Sequence, residues 1–239
     1  MTRLMALLLA MVAALFAASL LVGPAKVSVA DSLSALFAGD KGPLTLVMRE
    51  IRLPRAILAA MIGASLGLAG AAMQGYLRNP LAEPGLIGVS GSAALGAVLA
   101  IHTGLSATFA LGLPRAALTG AFLGVVLVMS LAGPRGTSLT LILAGIAISA
   151  LAAAITSFVL NLSPNPFAAN EIVFWMLGSL TDRSMTHVWL ALPFMALGFA
   201  VLARLGRGLD ALTLGEDAAL AMGIRVDRLR LPLVIGTAW

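Results

Sequence analysis

The segment MREIRLPR carries three arginines, Arg49, Arg52 and Arg55. Arg52 and Arg55 are three apart, with Pro54 between them suited to the first turn of a helix, so the spacing predicts both guanidiniums on one side. Two chemistries fit such a pair. It can reach lipid headgroups along its apolar stems, as long cations do at helix ends, or face outward to meet the carboxylates of an acidic partner. Spacing leaves both open. A second group lies in RLGRGLDALTLGEDAALAMGIRVDRLRLP, residues 204–232. There Glu216 and Asp217 fall in the first turn of a short helix predicted over Glu216–Met222, where negative charge suits the helix dipole. Gly223 stands where a left-handed C-cap belongs. A helix so short is not stable alone. It either rests on its own chain or offers an apolar, alanine-rich face to a soluble partner, and the residues favour neither. The third group is RNPLAEPGLIGVSG, residues 78–91, a break with two prolines, one asparagine and three glycines between apolar runs.

None of these groups reads as catalytic machinery. The chain lacks cysteine, a phosphate loop of the G-x-x-x-x-G-K-[ST] type, a zinc spacing and a Ser/His/Asp set, so neither metal nor cofactor is expected. A proton-driven carrier usually keeps an ionisable residue inside the membrane despite a cost of about 2.5 kcal/mol or more. Here His102 and His187 lie only at the ends of apolar runs. Gln74, near the end of the second run, either lines a path or bonds to a neighbouring helix.

The elements that must position these residues follow from composition. Of 239 residues 60% are hydrophobic and 10% charged, with mean hydropathy +1.04; soluble domains carry about 25% charge. Six runs without Asp, Glu, Lys or Arg are long enough to approach the roughly 20 residues that cross a bilayer: residues 4–22, 56–76, 85–101, 116–132, 138–162 and 188–203. Lipid offers no partner for backbone polar groups, so these are helices; a β-barrel would alternate in segments of about 10 residues. The fold class is therefore an all-α polytopic membrane protein, read as one domain over 1–239. Small residues four apart, Gly63/Gly67, Gly120/Gly124 and Gly88/Ser92/Gly96, are expected to let helix backbones approach closely. The net charge of +5 reflects membrane flanks more than a nucleic-acid surface.

Arg3 and the small residues Ser28-Val29-Ala30 imitate a signal peptide, but the 19-residue apolar stretch is too long, so the first run is expected to remain as a span. Leu231–Trp239 starts a seventh run of about 13 Å, and the sequence is expected to be part of a longer protein. With a cytoplasmic N-terminus, the inside segments hold eight Lys/Arg (Arg3, Arg78, Arg135, Arg204, Arg207, Arg225, Arg228 and Arg230) against seven outside. That is a poor positive-inside bias, and its excess sits in Arg49, Arg52 and Arg55.

The run RLPR…IGASLGLAGAAMQGYLRNPLAEPGLIGVSGSAALG, with the later LTLGEDAALAMGI, resembles the permease subunits of ABC importers for iron-siderophores, haem and vitamin B12. The vitamin B12 members share the R-L-P-R, M-Q and N-P-L-A-E-P-G-L-x-G-V-S elements. The resemblance runs from Arg52 to the end, by span pattern alone between the motifs. It implies a homodimer of permeases with about ten spans each, an ATPase below each, and a periplasmic or lipid-anchored substrate-binding protein docking from outside. It further implies the bacterial inner membrane, surrounding lipid, no nucleic acid and no catalysis by the permease itself. Under it, Arg52 and Arg55 match arginines that pair with the binding protein. Leu214, Gly215, Glu216, Asp217, Ala221 and Gly223, within a loop at 206–230, match the coupling helix that seats in the ATPase. Asn79, Pro80 and Leu81, with Gln74 nearby, match the cytoplasmic mouth of the translocation path, and Ser138 aligns with the partner gate loop. An ion-coupled secondary carrier and a non-transporting scaffold are the alternatives.

Overall fold

The computed structural model describes residues 2–23, 27–37, 42–109, 111–133, 136–163 and 166–238, and every regular element among them is helical. Arg135 and Trp239, which belong to the charge count and the seventh run, lie outside the described residues. The chain divides into two compact units, Met1–Ala64 with Leu180–Met195 and Ser65–Ser179 with Ala196–Trp239.

In the first unit α1 spans Thr2–Leu21, about 30 Å of helix against a hydrocarbon core of similar thickness. Its leucines and methionines are mostly exposed, as they are on a lipid-facing helix. After α2 (Val29–Phe37), Pro43 opens α3 (Pro43–Leu46), which continues without a break through a π-turn, Val47–Arg52, into α4 (Leu53–Leu77), whose residues from Ser65 onward belong to the second unit. Within the π-turn the bonding steps from i−4 to i−5, so that the Leu53 N–H donates to the Met48 carbonyl.

The second unit holds α5 (Val89–His102), α6 (Leu105–Thr108), α7 (Gly112–Ala132), α8 (Ser138–Leu162) and α9 (Pro166–Met176). It also takes the C-terminal part of α10 (Met185–Leu212), then α11 (Glu216–Ala221) and α12 (Val226–Ala238). Its core gathers Met73, Tyr76, Ile87, Val128, Leu141, Leu212, Ala219, Leu233 and Val234. Helices α5 and α7 pack with almost nothing between their backbones. A Cβ added at Gly96 would run into the Ala116 carbonyl, and one at Gly120 into that of Ser92.

Among the described residues five helices are long and apolar enough to cross a membrane: Thr2–Leu21, Pro43–Leu77, Gly112–Ala132, Ser138–Leu162 and Met185–Leu212. The expected sixth, at 85–101, is broken. Pro84–Ile87 forms a 3-10 turn, Gly88 adopts a left-handed φ of 77°, and only then does α5 begin. Its 14 residues rise about 21 Å, short of a full crossing of roughly 30 Å. The seventh run begins earlier than its apolar residues suggested, because α12 takes in Val226–Arg230 with Asp227 in its first turn.

The small-residue pairs divide. Gly88, Gly96, Gly120 and Gly124 each abut another helix closely, whereas Gly63 and Gly67 face open space with no atom within 4 Å of an added Cβ. The expectation that Gly63/Gly67 packs spans therefore does not hold among the described residues: four-residue spacing aligns two glycines on a face but does not say whether a neighbour lies there.

Candidate functional site

Helix α4 ends where Arg78 turns left-handed at φ 50°, and the Asn79 N–H closes the end by donating to the Gln74 carbonyl at 3.2 Å. The Asn79 side chain then accepts from the Leu81 N–H at 2.9 Å, holding Pro80 in a tight Asx turn. Asn79, Pro80 and Leu81 are exposed, Leu81 by 85%. A few residues on, Ile87 is 1% exposed, wedged against α8 where Gly145 leaves its main chain bare. One end of the 78–91 break is thus anchored and the other is presented. Gln74 is exposed and makes no side-chain hydrogen bond among the described residues.

Helix α11 comes after Gly215, whose φ is 106°, and closes as the sequence predicts. Gly223 has φ 79°, and the Ile224 N–H donates to the Ala219 carbonyl at 2.9 Å. Ala219 is the residue turned fully into the core. Leu214, Leu220 and Met222 are more than half exposed, Ala221 is exposed beside them, and Asp217 is exposed and unpaired among the described residues. One face of this helix therefore rests on the bundle, and the other presents apolar side chains.

The two segments meet. Arg78 Nη2 lies 3.2 Å from Glu216 Oε1, joining the end of α4 to the first turn of α11. Beside this pair a cavity of about 200 Å³ is lined by Tyr76, Ser138, Glu216, Asp227 and Arg230 among others. Ser138 therefore shares a cavity with Glu216, beside the pair that joins the end of α4 to α11.

Sequence pattern does not single out Arg230. It is 6% exposed and donates to the Gly136 carbonyl at 2.8 Å and to that of Gly133, tying α12 to the turn between α7 and α8. Arg49 and Arg52 act alike in the first unit. Arg49 gives two hydrogen bonds, 3.0 and 2.8 Å, to the Leu36 carbonyl near the end of α2. Arg52 is 7% exposed and donates to Leu20 and Leu21 carbonyls at 2.9 and 3.1 Å, at the end of α1. The last carbonyls of a helix have no intrahelical donor, and the guanidinium fork can meet two of them. This corrects the expectation that Arg52 and Arg55 face outward together: Arg55 is exposed, but Arg52 is turned in to a neighbouring helix. It also accounts for much of the arginine excess in MREIRLPR, where two of three cations terminate helices. Spacing could not have found this, because the acceptor belongs to another helix; the visible signal for Arg230 is a lone cation between Leu229 and Leu231.

Residues 9–238 match the FecCD transport family. The cobalamin import system permease protein BtuC of Halobacterium salinarum is 38% identical over 184 residues, covering 76% of this chain and 49% of that protein. The uncharacterized ABC transporter permease protein YvrB of Bacillus subtilis is 38% identical over 203 residues, 82% of this chain and 57% of its own length. The iron-uptake system permease protein FeuC of the same organism is 32% identical and covers 98% of this chain and 72% of that protein. The chain thus spans about half the length of the first two of these relatives. A solved structure of a metal-chelate type ABC transporter in an inward-facing conformation superposes with a TM-score of 0.82 at 30% identity, covering 100% of this chain and 73% of that one.

Proposed function

Because the chain belongs to the FecCD transport family, we propose that it works as the permease subunit of an ATP-driven importer, as a single transmembrane domain that is itself non-catalytic. The cargo is a metal chelate: an iron-siderophore, haem or a corrinoid. The observation that carries this reading beyond the family match is the meeting of residues 78–81 with α11 through Arg78 and Glu216. A force applied to the exposed face of α11 has a short covalent and electrostatic route to the turn at Asn79–Leu81.

The roles follow from exposure. The apolar face made by Leu214, Leu220, Ala221 and Met222 docks on a separate ATPase subunit, with Glu216 and Asp217 flanking it and Gly215 and Gly223 setting its ends. Gln74, Asn79, Pro80, Leu81 and Ser138 form the cytoplasmic gate, paired across a second copy of the permease. Arg55 meets carboxylates of a periplasmic or lipid-anchored binding protein, and Arg52 fixes the turn that presents it. The protein sits in the bacterial inner membrane with its N-terminus in the cytoplasm.

The test is uptake in proteoliposomes by the full-length gene product with its ATPase and binding protein, following iron-siderophore, haem and cobalamin side by side. ATP-dependent uptake of one of them is expected. A correctly assembled complex that moves none of the three would overturn the reading.

A further inference from the structure

The close approach of α5 and α7 has a second effect. With Gly96 against Ala116 and Gly120 against Ser92, the floor between the helices is nearly bare backbone, and longer side chains stand up on either side of it. Leu95 and Leu99 of α5 and Leu123 and Leu127 of α7 form the walls of an open groove of about 670 Å³, which Phe109 also lines. Four polar side chains line it. The hydroxyls of Ser92, Thr103 and Thr119 are already committed to the carbonyls of Gly88, Leu99 and Arg115, at 2.9, 2.7 and 2.8 Å. The guanidinium of Arg115, exposed in the first turns of α7, has no hydrogen bond or ion pair among the described residues. It alone has donors to offer a ligand.

We propose that this groove binds an anionic phospholipid, with one acyl chain along the groove and the headgroup phosphate on Arg115. From Arg115 to Leu127 the helix rises about 18 Å, close to one leaflet of a hydrocarbon core roughly 30 Å thick. The groove is thus as deep as a single acyl chain lies, with its one cation at the headgroup end. Guanidinium and phosphate match bidentately, and a basic group at the bilayer surface favours anionic over zwitterionic lipid. A second copy of the chain or another helix could instead cover an apolar groove, but neither accounts for an unpaired cation at its mouth.

The test uses the full-length protein in nanodiscs with photoreactive phosphatidylglycerol or phosphatidylcholine, the label being on the acyl chain. Adducts are located by mass spectrometry. Phosphatidylglycerol is expected to label the α5–α7 peptides about fivefold more than phosphatidylcholine. Arg115→Gln should bring that ratio to about one while leaving phosphatidylcholine labelling intact, and Arg115→Lys should retain most of the preference. Thr119→Trp, a change at an exposed position on the groove, should suppress labelling by both lipids. Equal labelling of the wild type by both lipids, or a groove protected from both by contact between copies, would overturn the proposal.

Discussion

Replacing Gly145 with alanine tests how the break at 78–91 is held. An added Cβ would run into the Leu86 carbonyl oxygen and lie 2.9 Å from both the Cα and the carbonyl carbon of Ile87, where ordinary contact begins at 3.4 Å. The obstructing atoms are main chain, and Gly88 just beyond them holds a left-handed φ, so no side chain can swing aside. The 3-10 turn must lift by about an ångström to clear the Leu86 carbonyl, which drags Ile87 from a site where it is 1% exposed. Overpacking of this kind costs about 1–3 kcal/mol. At roughly 2–4 °C per kcal/mol for a chain of this size, the melting temperature should fall by about 2–12 °C. Gly63→Ala is the matched control: its Cβ enters open space in a helix interior, where alanine is favoured by about 0.8–1.0 kcal/mol. Tryptophan-fluorescence melts in detergent would compare the two, with trypsin cleavage after Arg78 reporting whether the segment has loosened. Gly145→Ala should melt lower and be cut faster, and Gly63→Ala should do neither. If both variants melt within a degree of the parent and are cut alike, the tight seat of Ile87 on α8 is not what holds this segment.

Three further outcomes are expected. Arg52→Met, which keeps the stem but strands the Leu20 and Leu21 carbonyls, should destabilise by about 1–3 kcal/mol in detergent melts, whereas an exposed docking arginine would change stability little. Arg78→Glu or Glu216→Arg alone should lower coupled uptake in the assembled importer, and the exchanged pair should recover it. Because both partners are about half exposed, the melts of all three should stay within about 1 kcal/mol of the parent. Arg55→Glu should weaken binding-protein capture most at low ionic strength, where surface charges are least screened, as measured by surface plasmon resonance across a salt series.

What the sequence made legible was local. The cap at Gly223 and the acidic first turn of α11 depend on neighbours within one helix, and they stand where residue type placed them. The 78–91 break was also readable, because proline and glycine act on their own backbone. What depended on a neighbour distant in sequence was not. Gly63/Gly67 and Gly120/Gly124 share one spacing, yet among the described residues only the second pair has a helix against it. Arg52 and Arg55 share one expected face, yet helix ends elsewhere in the chain claim the first and leave the second. Charge balance registered the excess of arginine but could not see the carbonyls it serves.

The π-turn at Val47–Arg52 gives the second span an odd residue. A chain that bonds to i−5 over one turn contains one residue more than the α path between the same points. Helix α3 is therefore offset from α4 by one residue's rotation, about 100°. Any periodicity drawn through 43–77 as a single wave slips phase there, and α3 and α4 read as two short stripes rather than one. The slip also behaves as a setting. Deleting exposed Ile51 would remove the surplus and leave both flanks in place, whereas drawing all of these residues into regular α form would swing everything before Ile51 about 100° around the axis. Arg49 would then leave the Leu36 carbonyl while Arg55 kept its place. One surplus residue sets the dial between the arginine that closes α2 and the one left facing out.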